Sequence, residues 1–367
     1  KRVSRVLDGI ERIHWSTTSG LCFTGSTLAC MRYMGEELDN DYLMGISGGA
    51  FKLFWHPKWS PANCDLLLYG EEPVRRTFNS LGYDYTYISD RDKANPVHDK
   101  KYYQDIIVKS INNGHPVIAV GIVGPPECCV IAGYDRNGEV LYGRSYFQDN
   151  PFGGDNYDQA PTGYFRTDDW YDNFFGCIII GEKTKKPDDK EVMQNSLEWA
   201  IKLTREPFFD SPGFLEGSVN MEEDAPGYVK GSSKLNASTH MSGLAAYDAI
   251  IEALACDEYY PAGNSEVLSF RCMALGNDGL HLLAWKRYSA GQFLQKMASK
   301  KLPASDLLSK AGEIYSRESQ LLRDNLHMIP GWSCSQEDIA KIADPEIRKK
   351  LTSVVKEAKE LEEEAIC

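Results

Sequence analysis

The chain changes character once, at Thr184-Lys185-Lys186-Pro187-Asp188-Asp189-Lys190, and that break constrains the fold more than any other feature. Before it the signals are strands and turns. After it they are helical. Strands gathered in one half and helices in the other argue for an α+β organisation, not for the regular alternation of a parallel sheet. At 367 residues the chain has room for two domains of ordinary size. The expected boundaries are 1–185 and 190–367.

The strand half carries three apolar runs. Pro116-Val117-Ile118-Ala119-Val120-Gly121-Ile122-Val123 starts after the Asn113-Gly114 turn signal. Cys128-Cys129-Val130-Ile131-Ala132-Gly133-Tyr134-Asp135 leads into Arg136-Asn137-Gly138, where Asn-Gly supplies the positive φ of a tight hairpin, and a partner strand runs over 139–147. Cys177-Ile178-Ile179-Ile180-Gly181 ends the region, after a polar, Gly-rich and aromatic loop over 148–163. Cys128 and Cys129 are expected to face opposite sides of their strand. Gly45-Ile46-Ser47-Gly48-Gly49 lacks the Lys-Ser/Thr of a phosphate loop and predicts a tight turn.

In the helical half, helices are predicted over 191–204, 242–255, 280–298, 305–326 and 337–365. Ser242 is the expected N-cap of the second, and Asp344-Pro345 should break the last. The segment 210–239 is rich in Gly, Ser and Pro and reads as a long loop. The charged run ending in Glu362-Glu363-Glu364 reads as a solvated helix face.

Composition narrows the partners. A net charge of −13 argues against nucleic acid and against an anionic membrane surface. No apolar run approaches membrane-spanning length, and the basic start Lys1-Arg2-Val3-Ser4-Arg5 has no apolar core after it, so a cytoplasmic protein is expected. The ten cysteines include no CxxC pair and are expected to be reduced thiols. The seven histidines form no close pair, so neither a metal nor a cofactor is expected.

Chemistry is concentrated at Cys22. It opens an apolar helical stretch after Gly20-Leu21, and a helix N-terminus favours a thiolate. His14, eight residues upstream, and His240, ahead of the Ser242 helix, are candidate bases. The aromatic group Tyr146, Phe147, Phe152, Tyr157, Tyr164, Phe165, Trp170, Tyr171, Phe174 and Phe175 reads mostly as packing, part of which could line an apolar acyl pocket.

A helix with an N-terminal Cys followed by an antiparallel strand block resembles papain-like folds. Cys22, Ser26, Leu28, Tyr33 and Gly35 resemble the nucleophile helix of bacteriocin-leader peptidase domains, and Val130-Ile131-Ala132-Gly133-Tyr134-Asp135 resembles their histidine-bearing strand. Where that group has its histidine, six residues before the glycine, this chain has Glu127. The orienting Asn or Asp falls near Arg144 or Asp149. More of the chain is similar to the butirosin biosynthesis protein H N-terminal family. The similarity runs through Leu21-Cys22-Phe23-Thr24-Gly25-Ser26-Thr27-Leu28, Gly45–Phe54 and Val130–Phe147, with Gly133-Tyr134-Asp135-Arg136-Asn137-Gly138 and Ser145-Tyr146-Phe147-Gln148 the most specific parts. The helical half resembles the domain that often follows it, through Ser242-Gly243-Leu244-Ala245 and Arg287-Tyr288-Ser289-Ala290-Gly291. The family commonly has His before its Cys, where this chain has Leu21.

The resemblance implies a papain-like cysteine-peptidase-type domain followed by a mainly α-helical domain, with the site in a cleft between them. The family's namesake moves an aminoacyl group from a carrier-protein thioester to an aminoglycoside amine. For this chain the resemblance implies acyl transfer from a thioester or amide to a small amine, a peptide or water. The residues expected to carry it are Cys22, Glu127 and Asp149. The alternative expectation is a degenerate protein that binds a peptide or acyl carrier without turnover.

Overall fold

The structure is a computed structural model that describes residues 3–15, 21–55, 70–90, 95–210, 239–331 and 335–367, with backbone alone at 208–210, 239 and 240. The chain divides into two compact units. One is Lys1–Leu43 with Glu71–Pro187; the other is Met44–Gly70 with Asp188–Cys367. The architecture is α+β, as the division of strand and helix signals predicts. The predicted loop over 210–239 lies almost wholly outside the described residues. No described helix is long and apolar enough to cross a membrane.

The first unit is built on an antiparallel sheet. Numbered in chain order across both units, its strands are β1 (Arg5–Val6), β3 (Tyr83–Ser89), β4 (Val117–Gly121), β5 (Cys128–Asp135), β6 (Val140–Arg144), β7 (Asp158–Gln159), β8 (Phe165–Thr167) and β9 (Phe174–Lys183). They run in the order β3-β9-β4-β5-β6-β8-β7, with β1 beside β5. Every residue of β4 and all but the last of β5 are buried, which is why their sequence is continuously apolar instead of alternating. The hairpin forms where Asn-Gly predicts it. Arg136, Asn137 and Gly138 all take positive φ in a short 3₁₀ turn between β5 and β6. The strand after it is shorter than expected and ends at Arg144. Helices α1 (Cys22–Tyr33), α3 (Glu72–Leu81) and α4 (Lys100–Asn112) belong to this unit. α1 packs on β5 and β4.

The second unit is mainly helical. It holds α5 (Asp189–Arg205), α6 (Gly243–Ala255), α7 (Ser265–Arg271), a π-helical stretch Cys272–His281, α8 (Leu282–Ala298), α9 (Ser305–Asn325), α10 (Gln336–Ala340) and α11 (Pro345–Ala365). A small antiparallel sheet joins β10 (Phe208–Asp210), β11 (Thr239–Ser242) and β2 (Phe54–Trp55). Its core includes Trp55, Tyr247, Ile250, Leu283, Leu322 and Leu351. Helix α2 (Asn40–Ser47) covers the stretch of sequence where the first unit gives way to the second. The turn after it is tight. Gly48 has φ +85°, and a Cβ there would lie 2.4 Å from the Trp199 ring.

Pro345 sits in the first turn of α11, and the Asp344 carboxylate accepts from the Glu346 N–H at 2.9 Å, so the predicted break is a capped helix start. Ser242 precedes α6 as expected, but its hydroxyl does not cap the helix. It donates to the Leu203 carbonyl at 2.8 Å, because the residue is fully buried against α5. The helix predicted to start at 280 is preceded by π-helical turns that no apolar spacing announces.

β1 depends on one glycine. A Cβ on Gly133 would lie 2.7 Å from the Arg5 carbonyl oxygen and 2.8 Å from the Val6 Cα. Gly133→Ala is therefore expected to push β1 off β5 and destabilise the first unit by about 1–3 kcal/mol. Urea unfolding and amide exchange at Arg5 and Val6 measure it. Unchanged protection at those two residues would count against the close approach.

Candidate active site around Cys22

Helix α1 starts at Cys22 itself. Leu21 stands before it in extended conformation (φ −107°, ψ 152°), with no side-chain cap. The helix carries no acidic residue in its first turn, so nothing there neutralises the positive end of its dipole. Cys22 is 3% exposed. Its Sγ accepts a hydrogen bond from the backbone N–H of Cys128, the first residue of β5, at 3.2 Å. The strand position beside Glu127 thus reaches the sulfur through its main chain.

That amide is held by an unusual turn. Between β4 and β5 the chain passes Gly121 (φ +92°) and Ile122 (φ +76°). A β-branched residue in the left-handed region is strained and persists only where its surroundings fix it. Here they do. The Ile122 N–H donates to the Asn173 carbonyl at 2.7 Å, and Asn156 Nδ2 donates to the Ile122 carbonyl at 2.8 Å. Asn173 Nδ2 donates to the Gly124 carbonyl at 2.8 Å, and Ser145 Oγ to the Val123 carbonyl at 3.2 Å. Gly121 N–H closes the turn on the Glu127 carbonyl at 2.9 Å. A Cβ at Gly121 would lie 1.9 Å from the Asn173 carbonyl oxygen, so only glycine fits.

Tyr146 supplies the third side of the site. It is buried, and its ring lies against Trp15 with centroids 4.3 Å apart. The hydroxyl occupies the space left by Gly25, one turn into α1, where a Cβ would come within 1.7 Å of it. Burial raises the Tyr146 pKa far above the usual phenol value, and the charges of Cys22, Cys128, Glu127 and Glu11 add to that. The phenol therefore keeps its proton and is a hydrogen-bond donor in the neighbourhood of Cys22 and Glu127. Ser26, at helical spacing from Cys22, is fully buried, and its Oγ makes no hydrogen bond among the described residues.

Three other thiols of this unit are fully buried. Burial raises Cys30, Cys129 and Cys177 well above an ordinary cysteine, so they stay protonated and inert. All eight cysteines among the described residues are free.

The expected site residues divide. Cys22 and Glu127 share a neighbourhood with Tyr146, and Glu127 is half-buried at the base of β5. Asp149 stands apart from them, on an exposed loop at φ +66° with a side chain 57% exposed. Its carboxylate pairs with Arg12 at 2.6 Å and also accepts from Gln159. The Arg12 hydrogen bond chiefly holds it below the usual carboxylate range. Arg144 is a strap. It donates to the Gly163 carbonyl at 2.5 Å and to the Ile10 carbonyl at 3.2 Å, over the face of Tyr164. His14 is exposed, and the side chain of His240 lies outside the described residues. A surface cleft of about 520 Å³, lined by Arg32, Gly35, Glu36, Glu37, Leu38 and Asp39, sits at the far end of α1 from Cys22. Among the described residues no group of three His, Cys, Asp or Glu could hold a metal ion.

The sequence marks Tyr146 as one of a group of packing or pocket-lining aromatics and singles out neither Asn156 nor Asn173. The signal for Tyr146 was its place in Ser145-Tyr146-Phe147, the stretch most specific to the family resemblance. The two asparagines act through main-chain carbonyls far away in sequence, and no local pattern marks them.

Gly25→Ala tests the packing of Tyr146 on α1. The added methyl overlaps the hydroxyl and lies 3.0 Å from the ring carbon bearing it. The variant is expected to lose about 1–3 kcal/mol and to change the fluorescence of Trp15, which stacks on Tyr146. Adding Tyr146→Phe should recover part of the loss. A stable single variant with unaltered Trp15 emission would refute this placement.

No protein-family model matches the chain, and no curated protein matches it.

Proposed function

We propose that the first unit is a papain-like domain that carries out cysteine-dependent acyl transfer. A single observation supports the reading most: the Cys22 sulfur sits at a helix N-terminus and takes an amide hydrogen bond from Cys128 at 3.2 Å, with a neutral phenol in the same neighbourhood. A helix N-terminus and a directed N–H both favour negative charge on sulfur, and the thiolate is the nucleophile.

In this reading Cys22 Sγ attacks the carbonyl of an acyl thioester. The oxygen becomes an oxyanion, which the N–H groups at the start of α1 and the Tyr146 hydroxyl would receive. The thioester's thiolate leaves, and the acyl group rests on Cys22. An amine then attacks that carbonyl, and Cys22 leaves as thiolate. Glu127, half-buried at the same site, would take the proton that the amine gives up. A thioester donor suits a site without a histidine at the Glu127 position, because a leaving thiolate needs little protonation. A carrier-protein thioester and a small amine or peptide are the corresponding donor and acceptor. A cytoplasmic setting would keep the thiol reduced.

Binding without turnover is the second reading. The 3% exposure of Cys22 and the engagement of Asp149 by Arg12 favour it.

Incubation with an aminoacyl N-acetylcysteamine thioester, followed by intact mass measurement, separates the two. The acyl-transfer reading expects an adduct on the wild-type chain that vanishes in Cys22→Ser. Tyr146→Phe should form it about 10²–10³-fold more slowly, the usual loss for one oxyanion donor. Tight binding of the thioester with no adduct would favour the second reading. An adduct that survives Cys22→Ser would overturn the role of Cys22.

A further inference from the structure

Five helices of the second unit bring polar side chains to one enclosed place. Arg287 of α8, Glu318 of α9 and Glu362 of α11 are all 0% exposed. Arg287 Nε donates to Glu362 Oε2 at 2.7 Å and lies 3.7 Å from Glu318 Oε2. The Tyr247 hydroxyl of α6 donates to Glu318 Oε1 and lies 3.3 Å from Glu362 Oε2. Thr204 of α5 donates to Glu362 Oε1 at 3.2 Å, and the Tyr315 hydroxyl of α9 lies 3.5 Å from the same atom. Arg287 Nη1 donates to the Ala50 carbonyl at 2.8 Å, so the cluster also holds the chain just after α2.

The charges do not balance as they stand. Two carboxylates face one guanidinium with no water-exposed edge. An uncompensated buried charge is expensive, and two carboxyls sharing a site cannot both ionise. Two buried atoms of the cluster make no hydrogen bond among the described residues, Glu318 Oε2 and Arg287 Nη2. Glu362 accepts from Arg287 and Thr204, whereas Glu318 accepts from Tyr247 alone and its Oε2 stands 3.7 Å from Arg287 Nε. Glu318 is thus the carboxyl with less to hold a negative charge, and a proton on it removes one of the two charges.

We propose that Glu318 keeps a proton on Oε2 at neutral pH and donates it to Glu362, so that the cluster is neutral as Glu318–COOH, Glu362–COO⁻ and Arg287⁺. The site is then a one-proton switch inside the helical unit, open only on the alkaline side. Burial first, and the Glu362 charge second, push the Glu318 carboxyl well above the carboxylate range, while Arg287 and the Tyr247 hydrogen bond pull less strongly the other way. Burial also raises Tyr247 and Tyr315, which stay neutral. Burial opposes the charge on Arg287, but Glu362, Tyr247 and Glu318 outweigh it and hold the guanidinium charged.

The sign follows from linkage. Glu318 binds its proton more tightly folded than unfolded. Its stabilising contribution is whole below the unfolded value of about 4.3 and is lost as pH rises through the folded value. Over that window the folding equilibrium constant falls by up to about tenfold per pH unit.

Infrared spectra and urea unfolding of the full chain between about pH 7 and about pH 10 test the assignment. The wild type should show the carbonyl stretch of a protonated carboxylic acid at neutral pH, missing in Glu318→Gln, and its stability should fall with pH. Glu318→Gln keeps an N–H donor toward Glu362 and cannot titrate, so its stability should lack that fall. Loss of the band in Glu318→Gln assigns it to that residue. No protonated-acid band in the wild type overturns the proposal. So do equal pH profiles for the two chains. Should Glu318→Gln not fold, the wild-type band decides alone.

Discussion

The left-handed turn at Ile122 is the constraint on which the Cys22 site rests. A β-branched residue at φ +76° gives up backbone energy of order 1–3 kcal/mol, and the molecule supplies compensation from three directions. Asn173 and Asn156 grip the Ile122 peptide groups, Asn173 also holds Gly124, and Ser145 holds Val123. The result is a fixed start for β5. The Cys128 amide, at that start, donates to the Cys22 sulfur at 3.2 Å.

Neighbouring buried thiols have different surroundings. Cys30 and Cys129 are fully buried, where removal from water disfavours their thiolates, and Cys129 Sγ donates to the Gly121 carbonyl at 3.3 Å. Cys22 is as deeply placed, yet its sulfur meets an N–H and the open end of a helix. The distinction lies in what replaces water around the sulfur, not in how much water is removed. Tyr146 belongs to the same logic: its hydroxyl fits only because Gly25 has no side chain.

Local chemistry was legible in the sequence wherever it stayed local. Asn137-Gly138 demands positive φ, and the hairpin is there. Asp344-Pro345 cannot lie inside a helix, and a capped start is there. Cys22 opens its helix as its position after Gly20-Leu21 suggests. What the sequence hid depends on distant partners. Ser242 was a good cap by type, but burial against α5 redirected its hydroxyl to Leu203. Asp149 was a plausible orienting acid until Arg12, 137 positions earlier, took its carboxylate. The π-helical turns at Cys272–His281 follow packing that periodicity does not encode. Asn156 reads as a residue of the loop over 148–163 and Asn173 has no local signal, because their side chains act on carbonyls of another segment.

The Arg287 cluster shows the same limit in stronger form. Glu362 begins the run Glu362-Glu363-Glu364, which reads as a solvated face, and two of the three do face outward. The first is 0% exposed, because α11 turns that one position toward Tyr247, Thr204 and Arg287. Composition counts this carboxylate with the other acids that make the chain strongly negative. The fold treats it as an interior group that must be neutralised locally. A chain with net charge −13 can therefore hold a neutral polar centre, since the excess charge stays where water screens it. The interior then admits a second carboxyl only with its proton attached. That condition ties the integrity of five packed helices, and of the segment held at Ala50, to one ionisation.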